Sequence, residues 1–160
     1  MKIVVPVDFS SSAAAALRFA ANLSRLTGMQ LQVVYVFNSL VPSNRHQSRQ
    51  EIAAEQEALE RQLTAFANKH TQLPAGTPID ILVAEGIPPN YVQRMSTREE
   101  VALIVIGGIG TATGTRKDVF GDIARTVARE GGCPLVIIPE SAETSPLFTK
   151  ALCGLASNPG

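Results

Sequence analysis

Four short apolar runs constrain this chain more than any other feature: KIVVPV at 2–7, LQVVYVF at 31–37, VALIVI at 101–106 and LVII at 135–138. They are rich in β-branched residues and show little alternation of polar with apolar positions. A sheet with one wet face would require that alternation, so these runs predict strands covered on both faces, as in a parallel sheet. A weaker run at 79–83 predicts a further strand. Between the runs, apolar residues recur at helical spacing. The first set is Ala13, Ala16, Leu17, Ala20 and Leu23, and the second is Ile52, Leu59, Leu63 and Phe66. Tyr91, Val92 and Met95 mark a third helix, and Ile123, Val127 and Ala128 a fourth. Strand and helix alternate throughout, which predicts an α/β fold: an open five-stranded parallel sheet with right-handed crossovers and helices on both faces.

The punctuation agrees with that order. Ser10, Ser11 and Ser12 offer N-caps for the first helix, and Gly28 offers its stop. Residues 38–50 are polar, include Pro42 and Ser43, and read as a mobile loop. Pro74, Gly76 and Pro78 end the second helix, and Pro139 closes the last strand or places it at a sheet edge. With 160 residues and 45% hydrophobic content, the chain suits one core-forming domain over 1–140, followed by an aperiodic stretch at 141–160 read as a flexible tail. Fourteen Lys+Arg balance fourteen Asp+Glu, which argues against nucleic-acid binding by bulk charge. No apolar run reaches the roughly eighteen residues of a membrane span. The opening MKIVVPVDF turns polar too soon for a secretory leader. Cys133 and Cys153 form no CxxC pair. A cytoplasmic protein without a membrane segment is expected.

Ligands of open parallel sheets bind beyond the carboxyl ends of the strands, where the strand order reverses. Three loops at that end carry unusual residues: Asp8-Phe9-Ser10, Glu85-Gly86, and a glycine-rich stretch holding Gly107, Gly108, Gly110, Gly114 and Gly121. Glycines let backbone N–H groups approach an anion, and the helix expected to open near Gly121 points its positive end there. Two readings stay open on this pattern, a phosphate cradle and a turn that binds nothing. Neither GxxxxGK[ST] nor GxGxxG is present at the required spacing. Ser10 to Ser12 have no histidine placed to activate them and GxSxG is absent, so they read as caps and no catalytic residue is assigned. His46 and His70 have no ligand partner at i+4 and read as solvated, which leaves no metal site. Cys133 reads as a small buried residue and Cys153 as an exposed one. Tyr35 carries a hydroxyl toward the strand ends.

The segments KIVVPVDFS, VAEGIPPNYV, VALIVIGGIG and GDIARTVAREGGCPLVII, in this order, resemble the universal stress protein family over residues 1–139. The resemblance implies the adenine nucleotide alpha hydrolase-like fold, strand order 3-2-1-4-5, and ATP as ligand. It places Asp8 at the adenine or ribose side, Pro6, Val7 and Val36 along the adenine slot, and Gly86 beside the ribose. Gly107 and Gly110 would hold the phosphates through their backbone, with Thr111 next to them, and Gly121 would open the following helix. It also implies a homodimer pairing Leu135, Val136, Ile137 and Ile138 across a twofold axis.

One departure is visible. ATP-binding members read GxxG, nine residues, then Gly-Ser or Gly-Thr; this chain has ten residues after Gly110 and then Gly121-Asp122. A hydroxyl donor is replaced by a carboxylate that only accepts. Two unit charges about 4 Å apart repel by about 1 kcal/mol in water and about 4 at an effective dielectric of 20. Mg2+ bridging Asp122 to the phosphates would offset this, as would a loop path that brings in Thr113, Thr115, Arg116 or Lys117. Asp122 is also a natural N-cap. Two functions follow: an ATP-binding regulator in a stress response, with at most slow hydrolysis, and a nucleotide-free dimeric scaffold whose phosphate site Asp122 has closed.

Overall fold

Ile3, Val4 and Val5 have no exposed surface, and the strand they form lies at the centre of the sheet. The computed structural model describes residues 1–38, 48–74, 76–108 and 119–140. In chain order the elements are β1 (Lys2–Pro6), α1 (Ser11–Thr27), β2 (Gln30–Phe37), α2 (Arg49–Thr71), β3 (Ile79–Glu85), α3 (Pro88–Ser96), β4 (Val101–Gly107), α4 (Val119–Glu130) and β5 (Leu135–Ile138). The five strands pair in the order β3-β2-β1-β4-β5, every pair parallel, as expected from the alternation and the family resemblance.

Successive side chains of a strand point to opposite faces, so the sheet divides its apolar residues between two cores. Ile3, Val5, Val7, Leu31, Val33 and Val105 pack under α1 and α2 with Leu17, Leu63 and Ala67. Val4, Val34, Ile104 and Ile106 pack under α3 and α4 with Val92, Met95, Ile123 and Val127. Burial of each such Val, Leu, Ile or Met side chain stabilises the fold by about 1.5–3 kcal/mol. The contact face of α1 is built from Ala13, Ala15, Ala16, Ala20 and Ala21, whose small side chains let the helix lie close to the strands. Ser10 caps this helix by accepting from the Ala13 N–H, and Gly28 ends it at φ 73 with its N–H on the Ser24 carbonyl. At the amino end of the sheet, Lys2 Nζ (3.4 Å) and Gln32 Nε2 (2.6 Å) both donate to Asp80 Oδ2, tying three strands in register.

Several boundaries differ from the sequence expectation. β3 runs on to Glu85 because Ala84 and Glu85 continue the register against Val36 and Phe37. α2 begins at Arg49, inside the stretch read as loop, because Ser48 and Glu51 form a reciprocal capping box. α4 begins at Val119, so Gly121 does not open it and Asp122 is not its N-cap; Asp122 sits in the first turn. Ile123 and Val127 seat that helix in the core, whereas Ala128 is exposed. β5 is an edge strand, as Pro139 suggested. No described helix is long and apolar enough to cross a membrane.

Candidate functional site

The strand order reverses between β1 and β4, and the chain leaves these neighbours toward opposite faces of the sheet. Their carboxyl ends therefore flank the crevice where a ligand would sit. At the β1 exit, Val7 N–H donates to the Val34 carbonyl at 2.9 Å, extending the pairing one residue past Pro6. Asp8 Oδ1 then accepts from the Ser10 N–H at 3.0 Å, and Ser10 Oγ accepts from the Ala13 N–H at 3.2 Å. Asp8 is thus held at a fixed point just before a helix N-terminus, the positive end of α1.

Between Asp8 and Ser10, Phe9 adopts φ 63, in the left-handed region. That conformation costs a bulky L-residue about 1–2 kcal/mol. Phe9 stacks on Tyr35 of β2 (centroids 5.0 Å apart, planes tilted 36°) and meets Phe66 of α2 edge-on at 5.4 Å. Aromatic pairs of this geometry contribute about 0.5–1.5 kcal/mol each beyond area burial, enough to hold the turn. Phe66 also lies 4.6 Å from the ring of His70, whose Nδ1 is 3.1 Å from an Arg18 guanidinium nitrogen. His70 is half-buried in this cluster, not solvated as its position in the sequence suggested. Burial, followed by the charges of Asp8 and Glu55, pushes the Tyr35 phenol above its ordinary range.

The wall expected for an adenine base comes from the other core face. Pro6 is buried and, by strand alternation, shares a face with Val4. Val36 packs on that same core and is only partly buried. Gly86 lies beside it: a Cβ at Gly86 would sit 3.7 Å from Tyr91 Cδ2 and 3.9 Å from Val36 Cγ1, and its N–H donates to the Phe37 carbonyl at 2.9 Å. Pro6, Val36 and Gly86 therefore share one side of the crevice. Val7 turns the other way, 5% exposed in the core beneath α1.

On the β4 side the glycines divide into two roles. A Cβ on Gly107 would fall 2.5 Å from the Ser12 carbonyl carbon and oxygen and 2.9 Å from the Ala13 nitrogen. Gly107 thus has to be glycine so that the first turn of α1 can abut the end of β4, and the amino end of α1 is brought to the crevice by that contact. Gly108 donates its N–H to the Ile138 carbonyl at 2.7 Å. Gly110 and Thr111, with Gly114, Thr113, Thr115, Arg116 and Lys117, lie outside the described residues. Gly121 is buried, and Asp122 is 63% exposed with its Oδ1 3.7 Å from an Arg125 nitrogen.

At this end of the sheet the described residues thus include a carboxylate fixed by the Ser10 N–H, the apolar Pro6 and Val36, and a glycine beside Val36. Helix amino ends, such as that of α1 beside Gly107, favour anions in general. Among the described residues no group of three His, Cys, Asp or Glu could hold a metal ion. Asp122 offers a hard oxygen of the kind that a nucleotide-borne Mg2+ favours. Phe9 was legible as part of the loop after β1, but Phe66 and His70 were not legible as its neighbours. Cys133 lies part-buried just before β5, and burial pushes its thiol up.

Comparison with known proteins gives a consistent picture. The model of the universal stress protein family matches residues 1–139. A universal stress protein of Methanocaldococcus jannaschii is 26% identical over 144 residues, covering 86% of this chain and 81% of that protein. The structure of a universal stress protein from Archaeoglobus fulgidus in complex with dAMP superposes with a TM-score of 0.58 at 25% identity, over 86% of this chain and 97% of that one. An Arabidopsis thaliana family member with AMP bound gives a TM-score of 0.58 at 17% identity, covering 91% and 95%.

Proposed function

The chain belongs to the universal stress protein family, and from that premise we propose that it binds an adenine nucleotide, ATP, in a regulatory role in a cytoplasmic stress response. One observation supports the reading: Asp8 is held by the Ser10 N–H at the exit of β1, where the strand order reverses, on the end of the sheet that also carries Val36 and Gly86. In this reading Asp8 accepts hydrogen bonds from the base or ribose, and Val36 packs on the base. The amino ends of α1 and α4, with Gly110 and Thr111, meet the phosphates. Solved relatives with dAMP and with AMP support adenine as the recognised base. Hydrolysis is expected to be slow, since the sequence offers no P-loop lysine and no identifiable arginine finger.

Asp122 sets the strength of this binding. Because it is 63% exposed, water screens its charge, and its repulsion of a phosphate lies near the aqueous limit of about 1 kcal/mol per contact. That corresponds to somewhat less than one decade in affinity, too little to close the site. Calorimetry with ATP, with and without Mg2+, on the wild type and on Asp122→Ser tests this. Micromolar binding by the wild type supports the reading, and Mg2+ dependence lost in the serine variant identifies a bridged carboxylate. Binding by the serine variant alone supports the second reading, a nucleotide-free scaffold shut by Asp122.

The same chain is proposed to dimerise through β5. Its outer edge has no neighbouring strand among the described elements, and Ile137 is 51% exposed on it. An apolar open edge favours pairing with a second copy over solvent. Sedimentation of the wild type beside Ile137→Lys checks this, with a dimer reduced to monomer as the expected result.

A further inference from the structure

We propose that Phe9 is a positioning residue: held by Tyr35 of β2 and Phe66 of α2, its ring clamps the β1–α1 turn so that Asp8 stays fixed over the carboxyl end of the sheet. The proposal rests on the nucleotide reading only for its consequence on binding; the clamp itself stands on geometry. Phe9 is the only bulky apolar residue among the described ones with positive φ, at 63. A phenylalanine does not choose that conformation, so contacts elsewhere must hold it. Those contacts are on the page: Tyr35 at 5.0 Å from the strand below, and Phe66 at 5.4 Å, edge-on, from the helix above. Phe66 is in turn braced by His70 at 4.6 Å, and His70 by Arg18 of α1 at 3.1 Å. The chain of contacts thus joins β2, α2 and α1 to the residue that directly follows Asp8. One peptide further on, the Ser10 N–H binds Asp8 Oδ1 and the Ser10 hydroxyl caps α1. Rotation at Phe9 would move both ends of that hydrogen bond, so the ring that fixes Phe9 also fixes the carboxylate.

Tyr35 reports the position of Asp8 without any nucleotide. Asp8 and Glu55 both raise its phenol, after burial. The chain holds two tyrosines and no tryptophan, so in a Tyr91→Phe background tyrosinate absorbance follows Tyr35 alone. The titration is run on this protein and on Asp8→Asn, Phe9→Gly and the pair combined. Glycine accepts the left-handed backbone without strain, so Phe9→Gly removes the clamp while leaving the turn allowed. Asp8→Asn is expected to lower the Tyr35 midpoint when Phe9 is present and to move it little when Phe9 is glycine. An equal shift in both backgrounds would overturn the proposal. Phe66→Leu gives the same comparison if Phe9→Gly does not fold. A second arm measures ATP affinity, where Phe9→Gly is expected to bind about tenfold more weakly than wild type. Unchanged affinity beside a binding wild type would overturn the role of the clamp in binding. A wild type that binds no ATP would instead remove the nucleotide reading and leave the titration to decide the clamp.

Discussion

Asp8 and Asp122 are two of the carboxylates at the carboxyl end of the sheet, each beside the amino end of a helix, and the fold treats them differently. Asp8 accepts from the Ser10 N–H at 3.0 Å, within a turn clamped by three aromatic rings. Asp122 is 63% exposed, and its contact with Arg125 is a 3.7 Å ion pair along the surface of α4. The first is part of the architecture: its bonding sets the start of α1, and α1 in turn seats on Gly107. The second rides on a helix whose seating depends on Ile123 and Val127. A carboxylate built into the backbone pattern is suited to orient a ligand, and an exposed one is suited to tune how strongly the ligand binds.

Substitutions at the two places should therefore differ in kind. The largest effect is expected at Gly107→Ala, where a Cβ would lie 2.5 Å from the Ser12 backbone. Urea unfolding should show about 2–3 kcal/mol of destabilisation, whereas Gly108→Ala, whose nearest neighbours lie at 3.4 Å, should cost under about 1 kcal/mol. A Gly107→Ala loss no greater than that of Gly108→Ala would mean that α1 does not bear on β4 as described. Next in size, Ser10→Ala removes the cap and should cost about 1 kcal/mol by the same measurement. Arg125→Ala breaks an exposed pair and should change stability by less than about 0.5 kcal/mol. A larger loss there would erase the contrast between the two carboxylates.

The last effect emerges only in alkali. The Tyr35 phenol titrates above 10.0 in the folded chain, because burial and the charges of Asp8 and Glu55 disfavour the phenolate. The folded state then holds its proton where the unfolded state releases it, so this group's stabilisation is complete below pH 10.0 and is lost as pH rises through the folded value. Unfolding midpoints measured from pH 9 to 11 should fall less steeply in Tyr35→Phe than in the wild type.

The sheet was legible because its strands are continuous apolar runs, a pattern with few other solutions. The strand order came through the family resemblance, since residue spacing alone does not say which strands are neighbours. The start of α2 was hidden in a polar stretch, although Ser48 and Glu51 carry the capping-box spacing that marks it. Gly121 was placed at the opening of α4 by the resemblance; the helix already includes Val119, and Gly121 occupies a buried position inside its first turn. Pro6, Val7, Asp8, Val36 and Gly86 were placed together by resemblance; in the fold Gly86 lies beside Val36 and Pro6 shares the sheet face of Val4, whereas Val7 points into the opposite core. Phe9 was read only as part of the loop after β1, and its conformation could not be read. Its backbone conformation is imposed by Tyr35 and Phe66, partners distant in the chain, and no local rule assigns a phenylalanine to that region.

The most direct test is ATP affinity measured by calorimetry on the wild type, Asp8→Ala and Asp122→Ser. If Asp8 orients the nucleotide and Asp122 only weakens its hold, the wild type binds, Asp8→Ala binds at least about tenfold more weakly, and Asp122→Ser binds severalfold to about tenfold more tightly. Absence of binding in both the wild type and Asp122→Ser would contradict nucleotide recognition at this crevice, and equal affinities in all three would contradict the roles given to the two carboxylates.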